Sequence, residues 1–315
     1  MDVSIIFVNY KSEQLTCNAI ESVLEKTEGL KYEIFVVDNN SQDGSIEAIE
    51  KKFPNINIIK NPINAGFGAA NNLAIKQAKG KYIFCLNTDT LLVNNAIKIM
   101  FDFMEKEENQ NVGVCGGLLH DVDLNVIHSG GRFPCLEGVF WKFGLRYLFP
   151  NYYRKRYGLD CLATEIEYVT GADIMFRKSV LDKVGLFDEN YFMYFEESDL
   201  CYRIKKIGYL IKLINDAMII HLEGKSTKDE LKKKKWFKSS EFYYFKKHHS
   251  HKFHFVKLMY LFLYFIDGYV INKQTGKDMF KFVFSKKTSC FYVDTHLSVL
   301  FLLLTNILIL LCYRL

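Results

Sequence analysis

The sequence predicts an α/β fold in which a mostly parallel sheet is flanked by helices and followed by a basic and apolar helical tail. Three observations lead there. Short β-rich runs alternate with helix-length segments as far as Asn87. Several of those runs are apolar throughout. The last part of the chain replaces the alternation with clustered lysines and two long apolar stretches. Strands alternating with helices form parallel βαβ units, and strands covered on both faces lose the polar/apolar alternation of a half-exposed sheet.

The elements follow in order. VSIIFVNY (3–10) reads as the first strand. The opening MDVSIIFVNYK carries no basic leader and no long apolar core before Asn9, which argues for an N-terminal strand and against a signal peptide. A helix is expected over 13–26, then the strand EIFVVDN (33–39), a helix over 43–52, the strand INIIKN (56–61), a helix over 67–78 and the strand YIFCLN (82–87). With 315 residues, 49% of them hydrophobic and 24% charged, the chain is long enough for one large domain and an appendage, and disorder is excluded. The eight cysteines include no Cys-x-x-Cys pair, so reduced, buried thiols in a cytosol are expected, with neither a disulfide framework nor a zinc knuckle.

The tail holds the positive charge. Lys225 to Lys257 contain eleven lysines against Asp229, Glu230 and Glu241, a net of +8 in a chain whose total is +5, which leaves −3 for everything else. FVKLMYLFLYFI (255–266) and LSVLFLLLTNILILLC (297–312) are long apolar runs, the first interrupted only by Lys257. As a helix the second would be about 24 Å long, short of the roughly 30 Å hydrocarbon core. Lysines beside such helices predict a cytoplasmic protein attached to the anionic inner face of the cell membrane. A solvated lysine run with helices packed on the main domain is the other reading. His248, His249, His251 and His254 have no acidic or cysteine partner nearby, so a basic membrane surface is preferred to a metal site there.

In parallel sheets ligands bind at the carboxyl ends of the strands. Here those ends are Asn9 and Tyr10, Asp38 to Asn40, Asn61 to Asn64, and Asn87 to Asp89. In chain order the motifs VNYKS, VDNNSQDGS, NAGFGAANN, LNTDT, VTGADIMFRKSVLDKVGLFDENYFMYFEESDLCYRIKKIGY and IIHLEGKS resemble family 2 glycosyltransferases of the GT-A fold. Within that family the series is most similar to the non-processive branch containing bacterial rhamnosyltransferases. The likeness covers about residues 3–227, which sets the expected division: 1–227 as a GT-A domain and 228–315 as a basic, apolar helical extension.

The resemblance implies a site. Glycosyl transfer from a nucleotide-diphosphate sugar must stabilise a departing diphosphate, and a divalent cation, Mg²⁺ or Mn²⁺, is the usual device. LNTDT is the counterpart of the family's Asp-x-Asp motif. It makes Asp89 the metal ligand, with Asn87 and Thr88 facing the nucleotide; Asn87 keeps hydrogen bonding while removing one charge. The alternative for this stretch is a polar turn capping a helix near Val93. Asp38 matches the carboxylate that accepts the pyrimidine N3–H, with Asn40 beside it, Tyr10 stacking on the base and main-chain groups of Val8 and Asn9 along its edge. In SQDGS, Asp43 and Gly44 read as turn and helix-start residues. Gly66 and Gly68 fall where the backbone nears the nucleotide. Asn71 stands where many relatives carry Arg, so another group, Lys225 being a candidate, must neutralise the diphosphate. The glycine patterns match neither a Walker nor a dinucleotide fingerprint.

FMYFEESDLCYR supplies the acceptor side. The family's Glu-Asp pair aligns with Glu196 and Glu197, making Glu197 the general base that inversion requires. Asp199 completes the carboxylate cluster and, four residues from Arg203, is also placed to pair along the helix. Crowding raises the Glu197 pKa while a helix N-terminus lowers it, a balance the sequence leaves open. His221 matches a position that completes the metal site, although a lone histidine ending an apolar strand also reads as a core residue.

The expected activity is inverting, metal-dependent transfer of one sugar, L-rhamnose from dTDP-rhamnose, to a saccharide or polyprenyl-diphosphate-linked acceptor. Transfer of a UDP-linked hexose or N-acetylhexosamine is the alternative within the fold. A processive synthase would need Gln-x-x-Arg-Trp, which is absent. A non-catalytic membrane-associated scaffold would have lost Asp89 or Glu197, and both are present. No nucleic acid partner is expected. Donor choice falls to the loops at Gly116–Pro134 and Thr170–Asp173.

Overall fold

The structure is a computed structural model and describes residues 1–140, 151, 166–222 and 230–266. Strands β1 (Val3–Asn9), β2 (Tyr32–Asp38), β3 (Asn57–Lys60) and β4 (Tyr82–Leu86) alternate with helices α1 (Glu13–Lys26), α2 (Ser45–Lys52) and α3 (Phe67–Ile75). Each lies where the sequence places it, with ends differing by at most three residues. The reading of Asn87–Asp89 as a helix cap does not hold. A short strand, β5 (Thr90–Leu92), intervenes, and α4 (Ala96–Glu105) starts after Asn95 without a side-chain cap. The backbone groups of that stretch are satisfied by a sheet ladder instead.

The rest of the described chain adds β6 (Val112–His120), β7 (Gly130–Gly131), α5 (Leu136–Phe140), β8 (Tyr168–Val169), β9 (Asp173–Arg177), α6 (Lys178–Val184), α7 (Glu196–Lys206), β10 (Leu210–His221), α8 (Glu230–His248) and α9 (Ser250–Ile266). Eight strands form one sheet in the order β3-β2-β1-β4-β9-β6-β10-β5, and β7 pairs with β8 separately. Parallel pairings join β3, β2, β1 and β4, and join β6 to β10, whereas β9 runs antiparallel to both β4 and β6 and β5 antiparallel to β10.

Strand side chains alternate between two cores. Val3, Ile5 and Phe7 of β1 and Tyr82, Phe84 and Leu86 of β4 face α1, α2 and α4, while Ile6, Ile83 and Cys85 face α3, α6 and α7. Both faces are therefore covered, which is why these strands are written in continuous apolar residues. Cys17, Cys85, Cys115 and Cys201 are free and buried, as the absence of paired cysteines suggests.

This topology sets the site. The C-terminal ends of β1, β2, β4, β6 and β10 share one sheet edge with the N-terminus of β9, because β9 alone runs backwards between β4 and β6. The chain from α7 returns directly into β10, so the N-terminus of α7 faces the same edge.

Two compact units divide the chain, Met1–Tyr244 and Phe245–Leu315. The first runs beyond residue 227 because α8, through Tyr244, packs on residues 188–195. Of the second unit, α9 contains the apolar run 255–266. Among the described residues no helix is long and apolar enough to cross a membrane. Lys225 and the run 297–312 lie outside the described residues.

Candidate active site

Asn9, at the end of β1, is buried, and its side chain is fully engaged. Its Nδ2 donates to Asp38 Oδ1 (2.9 Å), Ser45 Oγ (2.9 Å) and Ser41 Oγ (3.2 Å), while its Oδ1 accepts from Ser12 and Thr16 hydroxyls, each at 3.0 Å. Any contact from Asn9 to a nucleoside is thus left to its main chain. Asp38, one strand over, also accepts from Ser41 Oγ at 2.6 Å and Ser41 N at 3.2 Å. Tyr10 stands beside this cluster, 41% exposed, with the Lys11 ammonium 5.7 Å from its ring centre. A pocket of about 220 Å³ lined by Asp38, Asn40, Ser41, Gln42, Lys60 and Asn61, among others, opens beside them.

Asn40, nominated from the sequence, takes a left-handed backbone and accepts only from its neighbour Gln42. Its neighbour Asn39 does more. The buried Asn39 side chain accepts from Asn61 Nδ2 (2.9 Å) and Ala65 N (3.2 Å) and donates to Asn64 Oδ1 (3.0 Å) and Gly66 O (3.2 Å), fixing the NAGFG loop against β2. In a VDNN run the two asparagines are indistinguishable until burial separates them.

The glycines of that loop answer to the protein around them. At Gly66, with φ +91°, a Cβ would lie 2.0 Å from Phe192 O, and at Gly68 one would lie 3.0 Å from Phe187 Cβ. A side chain at either position would meet protein backbone or a neighbouring side chain, so both must be glycine or shift their surroundings. Asn71 is enclosed, donating to Phe67 O at 3.0 Å, with its Oδ1 unpartnered.

The NTD turn closes β4. Asn87 N donates to Ala172 O (2.9 Å), Thr90 Oγ1 donates to Asn87 O (2.7 Å), and the Thr88 hydroxyl lies 3.4 Å from that of Ser12. Antiparallel pairing of Thr90 with His221 and a bond from Leu222 N to Asp89 O (2.9 Å) then bring the two expected metal ligands together. His221 Nε2 lies 3.3 Å from Asp89 Oδ1. Two donors on adjacent vertices of an octahedron with bonds of about 2.1 Å stand about 3.0 Å apart, so the pair fits a divalent cation. Among the described residues no third His, Cys, Asp or Glu joins them. Such a site would leave the other positions to oxygens of a ligand.

At the start of α7 the three carboxylates separate into distinct environments. Asp199 is fully buried and holds structure together. It accepts from Arg203 Nε (2.8 Å) and lies 3.5 Å from Tyr191 OH, and Arg203 also donates to Val184 O (2.8 Å) and Leu186 O (2.7 Å). It therefore acts as a bolt between α7 and the turn after α6 and is closed to substrate. Glu196 is buried with Oε2 unpartnered, and burial, then the charge of Glu197, pushes its pKa well up. Glu197 keeps partial exposure; desolvation raises its pKa to about 7, while backbone N–H groups at the helix start and the Ser198 hydroxyl act the other way. Burial decides the balance, where crowding by neighbouring charges was the expected cause.

Three more residues lie along this part of the sheet; Asp173 and His120 fall within the loops expected to govern donor choice, and Tyr168 was not singled out. Tyr168 has its phenol pushed up by burial and by the charge of Glu197, and its hydroxyl is 3.3 Å from His128 Nε2. Asp173, enclosed between β4 and β6, accepts from Gly117 N at 2.6 Å, and burial raises its pKa strongly. His120 ends β6 opposite Ile220, one residue before His221. No spacing signal marks these, since they meet only across the sheet.

Residues 4–185 match the sequence profile of glycosyl transferase family 2. The chain belongs to that family. This glycosyltransferase is 27% identical over 210 residues to the N-acetylglucosaminyl-diphospho-decaprenol L-rhamnosyltransferase of Mycobacterium tuberculosis, covering 62% of this chain and 67% of that one. It is 24% identical over 231 residues to the rhamnosyltransferase WbbL of Escherichia coli K12, covering 70% and 83%. In fold it is similar to a mannosyltransferase of Pyrobaculum calidifontis solved with GDP-Man and Mn²⁺, with a TM-score of 0.55, 14% identity and coverage of 98% and 80%. S. aureus TarS shares the fold at a TM-score of 0.53 and 16% identity, covering 94% of this chain and 46% of that one. The GT-A-like, rhamnosyltransferase-like glycosyltransferase expected from the motifs is thus the family found.

Proposed function

We propose that this glycosyltransferase moves one sugar, L-rhamnose from dTDP-rhamnose, with inversion, to a hydroxyl of a polyprenyl-diphosphate-linked or polysaccharide acceptor. The observation that carries the reading is the 3.3 Å approach of Asp89 and His221 at the sheet edge where α7 presents Glu197. The names of the mycobacterial and E. coli relatives support rhamnose and a lipid-linked acceptor.

The residues take these roles. Asp38, Tyr10, Asn40 and the main chain of Val8 and Asn9 receive the nucleoside, while Gly66, Asn71, Asn87 and Thr88 shape the wall around it. Asp89 and His221 would hold Mg²⁺ or Mn²⁺, and a cation there would supply positive charge against the departing diphosphate. Glu197 takes the acceptor hydroxyl's proton as its oxygen bonds to the anomeric carbon. The bond from that carbon to the diphosphate oxygen breaks, and the nucleoside diphosphate leaves with the electron pair. Glu196, buried beside Glu197 with its pKa pushed up by burial, orients the acceptor. Asp199 supports the catalytic pair from below.

A panel of dTDP-, UDP- and GDP-sugars with Mg²⁺ or Mn²⁺ tests the donor, read as thermal stabilisation and slow donor hydrolysis. A donor at 100 times its dissociation constant stabilises by about 2.7 kcal/mol. Preference for a UDP-hexose over dTDP-rhamnose overturns the rhamnose reading while leaving the family intact. The lysine-rich segment and the apolar tail are proposed to attach the enzyme to the inner face of the membrane. Full-length protein should pellet with anionic vesicles and be released as salt rises; absence of pelleting at low salt refutes the attachment.

A further inference from the structure

Helix α7 begins from an uncommon backbone. Tyr194 and Phe195 both have φ of +70°, a region that side-chain-bearing residues other than Asn and Asp seldom enter. Two aromatic residues in succession do not keep this conformation unaided; surrounding structure must over-determine it. Glu196 and Glu197 follow at once, so whatever holds these two residues also aims the carboxylates.

Two sides hold them. On one, Phe192 O accepts from Phe67 N at 3.0 Å and occupies the space beside Gly66. On the other stands α8. Trp236 packs on Phe192 with ring centres 4.8 Å apart, and Phe237 packs on Tyr194 at 5.7 Å and on Phe195 at 5.0 Å. Ser240 Oγ donates to Met193 O at 2.8 Å, and Tyr243 OH donates to Asp188 Oδ2 at 3.0 Å. Trp236, Ser240 and Tyr243 recur at the spacing of one helix face. All lie outside residues 4–185, the part of the chain that matches the family profile.

We infer that α8 is a positioning element of the transferase: Trp236, Phe237 and Ser240 hold residues 192–195 in the conformation that sets Glu197. Because the same segment is pinned to Gly66 and Phe67, α8 also ties the base to the loop at the donor side. The inference rests on the reading of Glu197 as the base, and its test separates the two. Trp236 is partly exposed and Phe237 is 36% exposed, so substitutions at these positions do not empty the core.

The experiment uses the full-length chain with Trp236→Ala, Trp236→Phe and Ser240→Ala, each also in a Glu197→Gln background. Amide exchange across 192–199 is measured without ligand, and turnover is measured with whichever donor of the panel the wild type consumes fastest. Trp236→Ala and Ser240→Ala should raise exchange at 192–199 about tenfold or more and leave β1 and β4 protected. They should lower kcat about 10- to 100-fold with donor KM within about threefold, and Trp236→Phe should recover most of the loss. In the Glu197→Gln background Trp236→Ala should cost less than about threefold more, as groups acting through one another are non-additive. Unchanged exchange at 192–199, kcat near wild type, or a full additional loss in that background overturns the proposal. Wild-type turnover by Glu197→Gln alone instead overturns the base assignment, and the exchange data still report whether α8 holds the segment.

Discussion

Replacing Glu197 by Gln should lower the rate and raise the stability, and both effects should grow as pH rises through about 7. Burial lifts the Glu197 pKa from an ordinary 4.5 to about 7. At about 1.36 kcal/mol per pH unit this sets a ceiling of about 3 kcal/mol, which the partial exposure of the side chain screens to about 1–2 kcal/mol. The folded state then binds a proton that the unfolded state releases between these two values, so stability is lost as pH rises from about 4.5 to about 7. Gln never ionises and escapes that loss. The variant should melt above the wild type at pH 8 and level with it at pH 4. The wild-type rate rises over the same range in which its stability falls. Wild-type kcat should climb through about pH 7 to a plateau, with about one-tenth of it remaining at pH 6, whereas Gln should lose about 10²- to 10⁴-fold and show no acidic limb. Thermal melts and kcat at saturating donor, both from pH 4 to 9, measure the two arms. Turnover of Glu197→Gln within threefold of wild type, or a wild-type rate flat from pH 5 to 8, refutes the assignment of the base.

Asp89→Asn should abolish turnover, as should EDTA, while Asn87→Asp should keep part of it, because it adds a charge without removing a ligand; steady-state rates across Mn²⁺ concentrations check this, and equal damage from both changes points to the wrong residue. Asp199→Asn should destabilise by about 2–3 kcal/mol in urea unfolding, since it leaves the partly buried Arg203 with its carbonyl partners but without its counter-ion, and it should leave the pH-rate limb in place. Gly66→Ala should cost at least about 2 kcal/mol and most activity, because its Cβ would meet Phe192 O at 2.0 Å with φ at +91°; a variant that melts and turns over as the wild type would show that the loop can move away from Phe192.

The sequence by itself determined the order and kind of the elements through β4, because strands covered on both faces must be apolar at every position and their helices must fill the gaps between them. Its strand ends also pointed to Asp38, Asn87 and Asp89, while Glu197 and His221 were singled out through the family resemblance. What it could not supply was the partner of each group. Asn39 rather than its twin Asn40 organises the NAGFG loop, and Gly66 is glycine because of Phe192, a residue more than a hundred positions away. Asp199 and Glu197 are two residues apart on one helix, yet one is bolted to Arg203 and the other is open, a difference of helix face and burial. Asp89 meets His221 only because β5 turns back along β10. The strained entry to α7 rests on α8, which carries no motif at all. Period and composition are properties of neighbours in the chain, whereas desolvation, ion pairing and backbone strain depend on which distant segments fold against them.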